Sequence, residues 1–143
     1  MVIWQRLVLL SQESHLGKQR PKTTMVNGYA STYTPKKTVM YENFVKEIYM
    51  YEVREKLTGG IKAEITAVFT PPKSTSKKKR EQMLNGEILY TKKSDCDNIA
   101  KAILDSLNKI AYDDDSQICI LHVEKKYGEE EKVIVKLSEL EKE

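Results

Sequence analysis

The pattern of apolar and polar positions predicts several strands along the chain. Residues 2–10 are apolar and rich in β-branched and aromatic types, which favours a strand. In residues 61–70, apolar and polar side chains alternate, as they do in a strand with one buried face. Residues 117–127 are apolar on both faces, a pattern typical of a central strand. Residues 132–137 alternate again and predict the last strand.

Two segments have the residue spacing of amphipathic helices. Residues 38–57 carry an apolar stripe that Gly59 and Gly60 end. Residues 97–109 carry a second stripe, with Asp97 as the expected N-cap. The order of elements predicts an α/β (α+β) fold, in which helices pack on one mixed β-sheet and residues 1–143 form a single domain.

Two basic stretches lie between these elements. Residues 11–37 are polar and contain two prolines and two glycines, so we expect an irregular, hairpin-like segment. Residues 71–93 form the second stretch, in which we expect the run 74–80 to be mobile and residues 88–90 to form a short strand. The candidate contacts to a polyanion are Lys18, Arg20, Lys22, Lys36, Lys37, Lys77, Lys78, Lys79, Arg80, Lys92 and Lys93.

Composition and charge narrow the class of protein. The net charge of the 143 residues is only +3, but the basic excess lies in residues 1–93 and the acidic excess in residues 94–143. This asymmetry indicates a polyanion-binding surface beside a cation site, or alternatively a solvated surface with an acidic tail. Two cysteines exclude a disulfide scaffold and favour a reducing compartment. With no apolar run near 20 residues and no cleavage site, we expect a cytoplasmic protein without a membrane partner.

Acidic side chains flank the second predicted helix on both sides. Asp95 and Asp97 precede it, and residues 113–115 are three consecutive aspartates that follow it. Residues two apart in an extended segment point the same way, so the first two carboxylates can converge, and a third can close on them. Carboxylates gathered in one place repel each other unless a hard cation such as Mg²⁺ or Mn²⁺ lies among them. Lys101 shares a helix face with Asp97 and can stabilise charge on a phosphate.

Other kinds of site are less well supported. Each acidic segment alone is also a common turn or cap composition. The segment after Asp95 has Ile99 and Ala100 where a calcium-binding EF-hand needs an oxygen ligand and a glycine. Cys119 and His122 face opposite sides of the predicted strand, which argues against zinc. The phosphate-binding Gly-rich loop of nucleotide hydrolases and the serine-hydrolase elbow are both absent from the sequence.

Residues 93–118 resemble the RusA family of Holliday junction resolvases. That family's signature is Asp-x-Asp-Asn-x-x-Lys, then Asp-Ala-Leu in the helix, then Asp-Asp-x-Gln; here the helix has Asp-Ser-Leu. The segments at 17–21 and 33–38, and Pro72-Lys73-Ser74, also resemble the version found in phages of Gram-positive bacteria. The similarity covers about residues 17–137.

The resemblance implies a catalytic set and a mechanism. Asp95, Asp97 and Asp115 match the family's metal-binding catalytic aspartates, and Lys101 matches its catalytic lysine. We therefore expect a Mg²⁺-dependent (or Mn²⁺-dependent) endodeoxyribonuclease that resolves DNA four-way junctions by paired, symmetric nicks. It is expected to act as a homodimer in recombination or repair, typically encoded by a phage or prophage. The alternatives are a structure-specific nuclease on flaps or forks and a non-catalytic module that binds branched DNA.

Overall fold

The computed structural model describes the backbone of residues 4–10, 22–26, 29–33, 45–47, 49–50 and 56–140, and the side chains of residues 45–47, 49–50 and 56–140. Six strands and two α-helices have both ends within these ranges. The strands are β1 (Trp4–Leu10), β2 (Lys22–Val26), β3 (Tyr29–Tyr33), β4 (Ile61–Phe69), β5 (Ile118–Tyr127) and β6 (Lys132–Glu139). The helices are α1 (Lys77–Leu84) and α2 (Cys96–Leu107), and a 3₁₀ turn covers Asp115–Gln117.

Four strands form one mixed sheet in the order β1-β6-β4-β5. β1 runs antiparallel to β6, from the pair Trp4 and Ser138 to the pair Leu10 and Lys132. β6 is antiparallel to β4, whereas β4 and β5 are parallel. The prediction of a mixed sheet with helices packed on it, an α+β fold, is confirmed.

The core lies on one face of this sheet. The alternation in β4 buries Ile61, Ala63 and Ile65, while the intervening polar residues are half-buried. The apolar stripe of α2, from Ile99 to Leu107, is buried in the same cluster. The sequence pattern therefore predicted correctly which face of this strand and which side of this helix are covered.

The parallel pairing of β4 and β5 requires a crossover, and this crossover positions the candidate chemistry. Parallel strands cannot be joined by a tight turn, so residues 70–117 leave one end of the sheet and return to the other. Both helices lie in this connection. The predicted residues Asp95, Asp97, Lys101 and Asp115 all lie in it as well.

The first basic stretch contains a hairpin, as expected. β2 pairs antiparallel with β3, from Lys22 and Tyr33 to Val26 and Tyr29, in a separate two-stranded sheet. Of the helix predicted at residues 38–57, the described residues 45–47 and 49–50 are helical. Val45, which lies on the predicted apolar stripe, is buried, and Tyr49, which the stripe did not include, is buried as well. The rest of that segment lies outside the described residues.

The lysine run continues into a helix that the sequence pattern did not predict: residues 77–84 form α1, and the hydroxyl of Ser76 accepts a hydrogen bond from the Lys79 amide at 3.4 Å. The mobility expected of residues 74–80 stays a prediction. Two other local predictions are wrong. Residues 88–90 form no strand. β5 is an edge strand rather than a central one, and Ile120 and Leu121 are 46% and 47% exposed. Apolar residues on both faces of a strand therefore do not identify a central position.

No helix among the described residues is long and apolar enough to cross a membrane.

Candidate active site

Asp95 and Asp97 lie at the start of α2. The prediction of Asp97 as the N-cap is wrong: the helix begins at Cys96, so Asp95 is the N-cap residue and Asp97 lies in the first turn. Asp95 caps through its backbone, since its carbonyl accepts from the Ile99 amide at 3.1 Å and its side chain makes no capping hydrogen bond. Both residues are exposed, and the positive end of the helix dipole favours their negative charges. Both carboxylates are thus outside the core and accessible from solvent.

One outward face of α2 carries three charged residues at four-residue intervals. Asp97, Lys101 and Asp105 follow one another by one turn each, and this spacing places them on one side of a helix. The opposite side is buried against the sheet. Lys101 is exposed and Asp105 is half-buried. The predicted catalytic lysine therefore has a carboxylate one turn before it and another one turn after it.

Asp115 is the most enclosed carboxylate of the predicted set. It begins the 3₁₀ turn and is half-buried against the far end of α2. Burial raises the pKa of Asp115, and the neighbouring charge of Asp105 raises it further, while contact with the Tyr112 phenol lowers it. Its Oδ1 atom is buried and has no hydrogen-bond partner among the described residues.

Tyr112 is the buried aromatic residue that contacts Asp115. Its ring is fully buried, and its hydroxyl donates to the Leu104 carbonyl of α2 at 2.6 Å. Burial is the largest cause that raises the pKa of Tyr112, followed by the charge of Asp115, so the phenol stays protonated. Tyr112 thereby connects the helix to the turn that carries Asp115.

The other two aspartates of the acidic triplet, residues 113–115, have structural partners. The Asp113 carboxylate lies 2.7 Å from the Lys56 ammonium, whose proximity lowers the pKa of Asp113. Asp114 accepts from the Ser116 amide at 3.1 Å and forms a capping box with Gln117, and the hydrogen bonds from Ser116 lower the pKa of Asp114. These partners support assigning Asp115, rather than its two neighbours, to the catalytic set.

Gln117 fixes the path of the acidic triplet. Its Oε1 accepts from the backbone amides of Asp113 and Asp114 at 2.8 and 3.0 Å. Its Nε2 donates to the Gly59 carbonyl, just before β4, at 3.0 Å. One side chain therefore ties the triplet to the sheet.

The described residues do not bring the three predicted metal ligands into one cluster. Asp115 lies beside Asp105, which is eight residues after Asp97, or about 12 Å along the helix axis at 1.5 Å per residue. No group of three or more His, Cys, Asp or Glu side chains within the described ranges is arranged to hold a metal ion. The convergence of Asp95, Asp97 and Asp115 stays a prediction.

The donor set nevertheless fits a hard cation in its chemistry. All the candidate ligands are carboxylate oxygens, which Mg²⁺ and Mn²⁺ prefer. The buried Asp115 Oδ1 has no partner among the described residues, and such an atom is costly unless a ligand satisfies it. Asp95 and Asp97 are exposed and free of ion pairs within the described ranges.

An aromatic cluster holds the segment that leads into Asp95. The rings of Phe69 and Tyr90 stack with centroids 3.8 Å apart, and Tyr127 meets Tyr90 edge-on at 5.2 Å. The Tyr90 hydroxyl donates to the Lys93 carbonyl, and the Lys125 ammonium donates to the Lys92 carbonyl, both at 2.8 Å. Burial raises the pKa of Tyr90. The approach to the helix is thus anchored on the end of β4.

The basic candidates fall into two groups. Lys77, Lys78, Lys79 and Arg80 lie in α1, which has no buried residue, and all four are exposed. Lys92 and Lys93 are exposed just before Asp95. Lys22 lies in β2, of which the backbone is described, and Lys18, Arg20, Lys36 and Lys37 lie outside the described residues. The second basic stretch therefore presents its charges to solvent, and Lys92 and Lys93 do so just before the start of α2.

Sequence reasoning missed three residues that organise this site. Asp105 and Gln117 belong to the signature segments, but no role followed from their spacing. Lys56 gave no signal, because its partner Asp113 is distant in sequence. The four-residue interval after Lys101 is the signal by which Asp105 could have been found.

Two comparisons with known proteins bear on this arrangement. The family model described as "Endodeoxyribonuclease RusA" matches residues 14–138. The chain is also similar to the "Uncharacterized protein YqaN" of Bacillus subtilis (strain 168), with 34% identity over 124 residues that cover 85% of this chain and 87% of that protein. The matched region contains α1, α2, the acidic triplet and all strands except β1 and the end of β6.

Proposed function

Because this chain belongs to the RusA endodeoxyribonuclease family, we propose that it is a nuclease that resolves DNA four-way junctions by hydrolysing one phosphodiester bond in each of two opposite strands. The observation that carries this proposal is the charged face of α2, where Asp97, Lys101 and Asp105 follow one another and Asp115 packs beside the last. Anionic groups beside an exposed lysine suit chemistry at a phosphate.

The proposed mechanism assigns a role to each residue of the set. Asp95, Asp97 and Asp115 would hold Mg²⁺, with Mn²⁺ as a substitute. A bound ion would supply Lewis-acid chemistry there, which would polarise the scissile phosphate and lower the pKa of the attacking water. Lys101, which is exposed on the same helix face as Asp97, stabilises the negative charge that develops on the phosphate oxygens. Tyr112 and Gln117 hold the turn of Asp115 in place.

DNA binding is assigned to the two basic stretches, and paired nicking to a homodimer. The exposed charges of α1, with Lys92 and Lys93 beside the site, would contact backbone phosphates. The first stretch adds Lys18, Arg20, Lys22, Lys36 and Lys37. A two-fold symmetric dimer presents two identical sites to the opposite strands of a junction. We expect the protein to act in the cytoplasm.

The test compares cleavage and binding in one matched pair of variants. Asp97→Asn should lower junction nicking in Mg²⁺ by more than about 100-fold, because even partners of metal ligands matter by 10–100-fold. Its junction affinity, measured in chelator, should stay within about twofold. The control is Glu64→Gln, which removes a carboxylate paired with Lys62 at 3.5 Å on β4. Full nicking by Asp97→Asn would refute the assignment of this residue.

A panel of substrates separates the proposed function from its alternatives. The wild-type protein should nick four-way junctions at symmetric positions and prefer them to flaps and replication forks. A preference for flaps or forks would identify a different structure-specific nuclease. Binding of branched DNA without nicking in either Mg²⁺ or Mn²⁺ would identify a non-catalytic module. Sedimentation with and without junction measures whether the active species is a dimer.

A further inference from the structure

A cavity lies beside the turn that follows α2. Its volume is about 540 Å³, and the described residues that line it are Tyr49, Met50, Lys56, Lys109 and Ile110. Pockets that hold small organic ligands have volumes of roughly 300–1,000 Å³. None of these five residues belongs to the catalytic set proposed above. The cavity is therefore a candidate binding site in its own right.

Two lysines on the rim of this cavity are held in place by the acidic triplet. The Lys56 ammonium lies 2.7 Å from Asp113 Oδ1, and the Lys109 ammonium lies 4.0 Å from Asp114 Oδ1. Both lysine side chains remain accessible, with 48% and 71% of their surface exposed. Two positive charges thus face one opening while keeping surface available for a further anionic partner.

The backbone at Lys109 adds a second, independent observation. Its φ of 69° lies in the left-handed region, which side chains other than glycine, asparagine and aspartate rarely adopt. Such conformations recur at binding and catalytic sites, where the surrounding fold maintains them. This residue lies in the turn that leads from α2 towards the triplet, and it lines the same cavity as Lys56.

The lining combines positive charge with apolar surface. Met50 is 57% exposed, Ile110 is partly buried, and Tyr49 is almost fully buried. Apolar surface and ammonium groups in one cavity fit a ligand with an aromatic body and an anionic group. A nucleotide has both, because its base can lie on aliphatic or thioether side chains while its phosphate meets the lysines. An inorganic anion would contact only the lysines.

We propose that this cavity binds one nucleotide of the DNA strand that is cut, with its base on Met50 and Ile110 and its phosphate between Lys56 and Lys109. This inference rests on the proposed nuclease function, since Asp115 is only two residues from Asp113. The bound nucleotide would then lie close to the scissile phosphate.

The ion pair between Lys56 and Asp113 predicts that removing either partner changes nucleotide affinity, but in opposite directions. Asp113 competes with a bound phosphate for Lys56, because both are anions within reach of one ammonium group. Asp113→Asn should therefore strengthen nucleotide binding, whereas Lys56→Gln should weaken it. A purely structural ion pair would give no gain in binding when the acid is removed.

The first experiment measures nucleotide binding to the full-length chain without metal. With ¹³C-methyl-labelled methionine, titration with thymidine 5′-monophosphate should shift the Met50 signal and leave Met83, which lies in α1, unchanged. Lys56→Gln and Lys109→Gln should each weaken binding by about threefold, the size expected for exposed ion pairs. Lys62→Gln, which removes a lysine paired with Glu64 on β4, is the matched control and should leave affinity unchanged.

The ligand controls decide the chemistry of the site. Equal affinity for inorganic phosphate and for the nucleotide would overturn the proposal, as would equal shifts of Met50 and Met83. Unchanged binding in both lysine variants would overturn it too. Weaker binding of thymidine, which lacks the phosphate, would support it.

A cross-linking experiment then distinguishes strand DNA from a free nucleotide. A four-way junction that carries 4-thiothymidine at the crossover should cross-link on irradiation to residues 49–50 or 110. Binding of the free nucleotide without this cross-link would overturn the assignment to the DNA strand. Neither measurement uses cleavage, so a chain that nicks no junction yet binds the nucleotide would refute the proposed function and leave the binding site standing.

Discussion

Replacing Gln117 with methionine should release the acidic triplet from its fixed position and leave the rest of the fold intact. Methionine has the length and flexibility of glutamine but makes none of its three hydrogen bonds. Those bonds run from the amides of Asp113 and Asp114 to Oε1, at 2.8 and 3.0 Å, and from Nε2 to the Gly59 carbonyl, at 3.0 Å. The substitution therefore releases the triplet from the start of β4 without opening a cavity.

The expected cost in stability follows from these contacts. A hydrogen bond contributes about 0.5–1.5 kcal/mol net, and three of them contribute roughly 1.5–4.5 kcal/mol. Gln117 is half-buried, so water replaces part of what is lost. We therefore expect Gln117→Met to lower the free energy of unfolding by about 2 kcal/mol. Urea unfolding followed by circular dichroism measures this quantity.

The nicking activity of Gln117→Met should fall by more than its loss of stability or any loss of junction affinity explains. At a loss of about 2 kcal/mol a typical domain remains almost entirely folded, so the remaining defect reports the position of Asp115. Junction affinity in chelator should stay within about twofold, while nicking in Mg²⁺ falls by more than about tenfold, because misplaced catalytic groups are costly. Gln82→Met in α1 is the same change at a half-buried glutamine and should alter neither. Wild-type nicking by Gln117→Met would refute the argument that this side chain positions Asp115.

Two further predictions test other parts of the molecule. Replacing the four basic residues of α1, Lys77, Lys78, Lys79 and Arg80, with glutamine should leave α1 helical, since the helix buries no residue. The slope of log affinity for the junction against log salt concentration should become shallower by about 0.9 per lost phosphate contact. The control replaces Lys62 and Lys136 with glutamine, and an unchanged slope in the α1 variant would mean that α1 does not contact DNA. Gly128→Ala should destabilise the protein by about 1–3 kcal/mol, because the added Cβ would overlap Val68 Cγ1. In a double-mutant cycle, adding Val68→Ala should recover part of this loss, and strictly additive effects would contradict the overlap.

Periodicity predicted the parts of the fold in which one face of an element is buried. β4 has one buried face and one half-buried, polar face, and α2 has a buried side and an outward side. Their sequences therefore repeat every two and every 3.6 residues. The mixed sheet and the position of the acidic segments around α2 follow from the same reasoning.

The prediction failed where no buried face exists to leave a pattern. α1 has no buried residue and consists mostly of charged side chains, so its sequence carries no apolar period. Its signal was local, a serine at position 76 whose hydroxyl accepts from the Lys79 amide. The prediction for β5 was wrong for the opposite reason. Its Ile120 and Leu121 are apolar but exposed, and the sequence pattern alone does not distinguish such residues from buried core residues.

The acidic triplet shows why a motif alone could not divide the roles of its members. Three consecutive aspartates are chemically identical in sequence, yet their partners differ once the chain folds. Asp113 meets Lys56, which is 57 positions earlier, Asp114 caps the 3₁₀ turn, and Asp115 turns towards Asp105 and Tyr112. The first two charges are thereby compensated, and the third keeps a buried oxygen without a partner among the described residues. An uncompensated buried oxygen is stabilised most by a cation, so this inequality favours Asp115 as the member that binds metal.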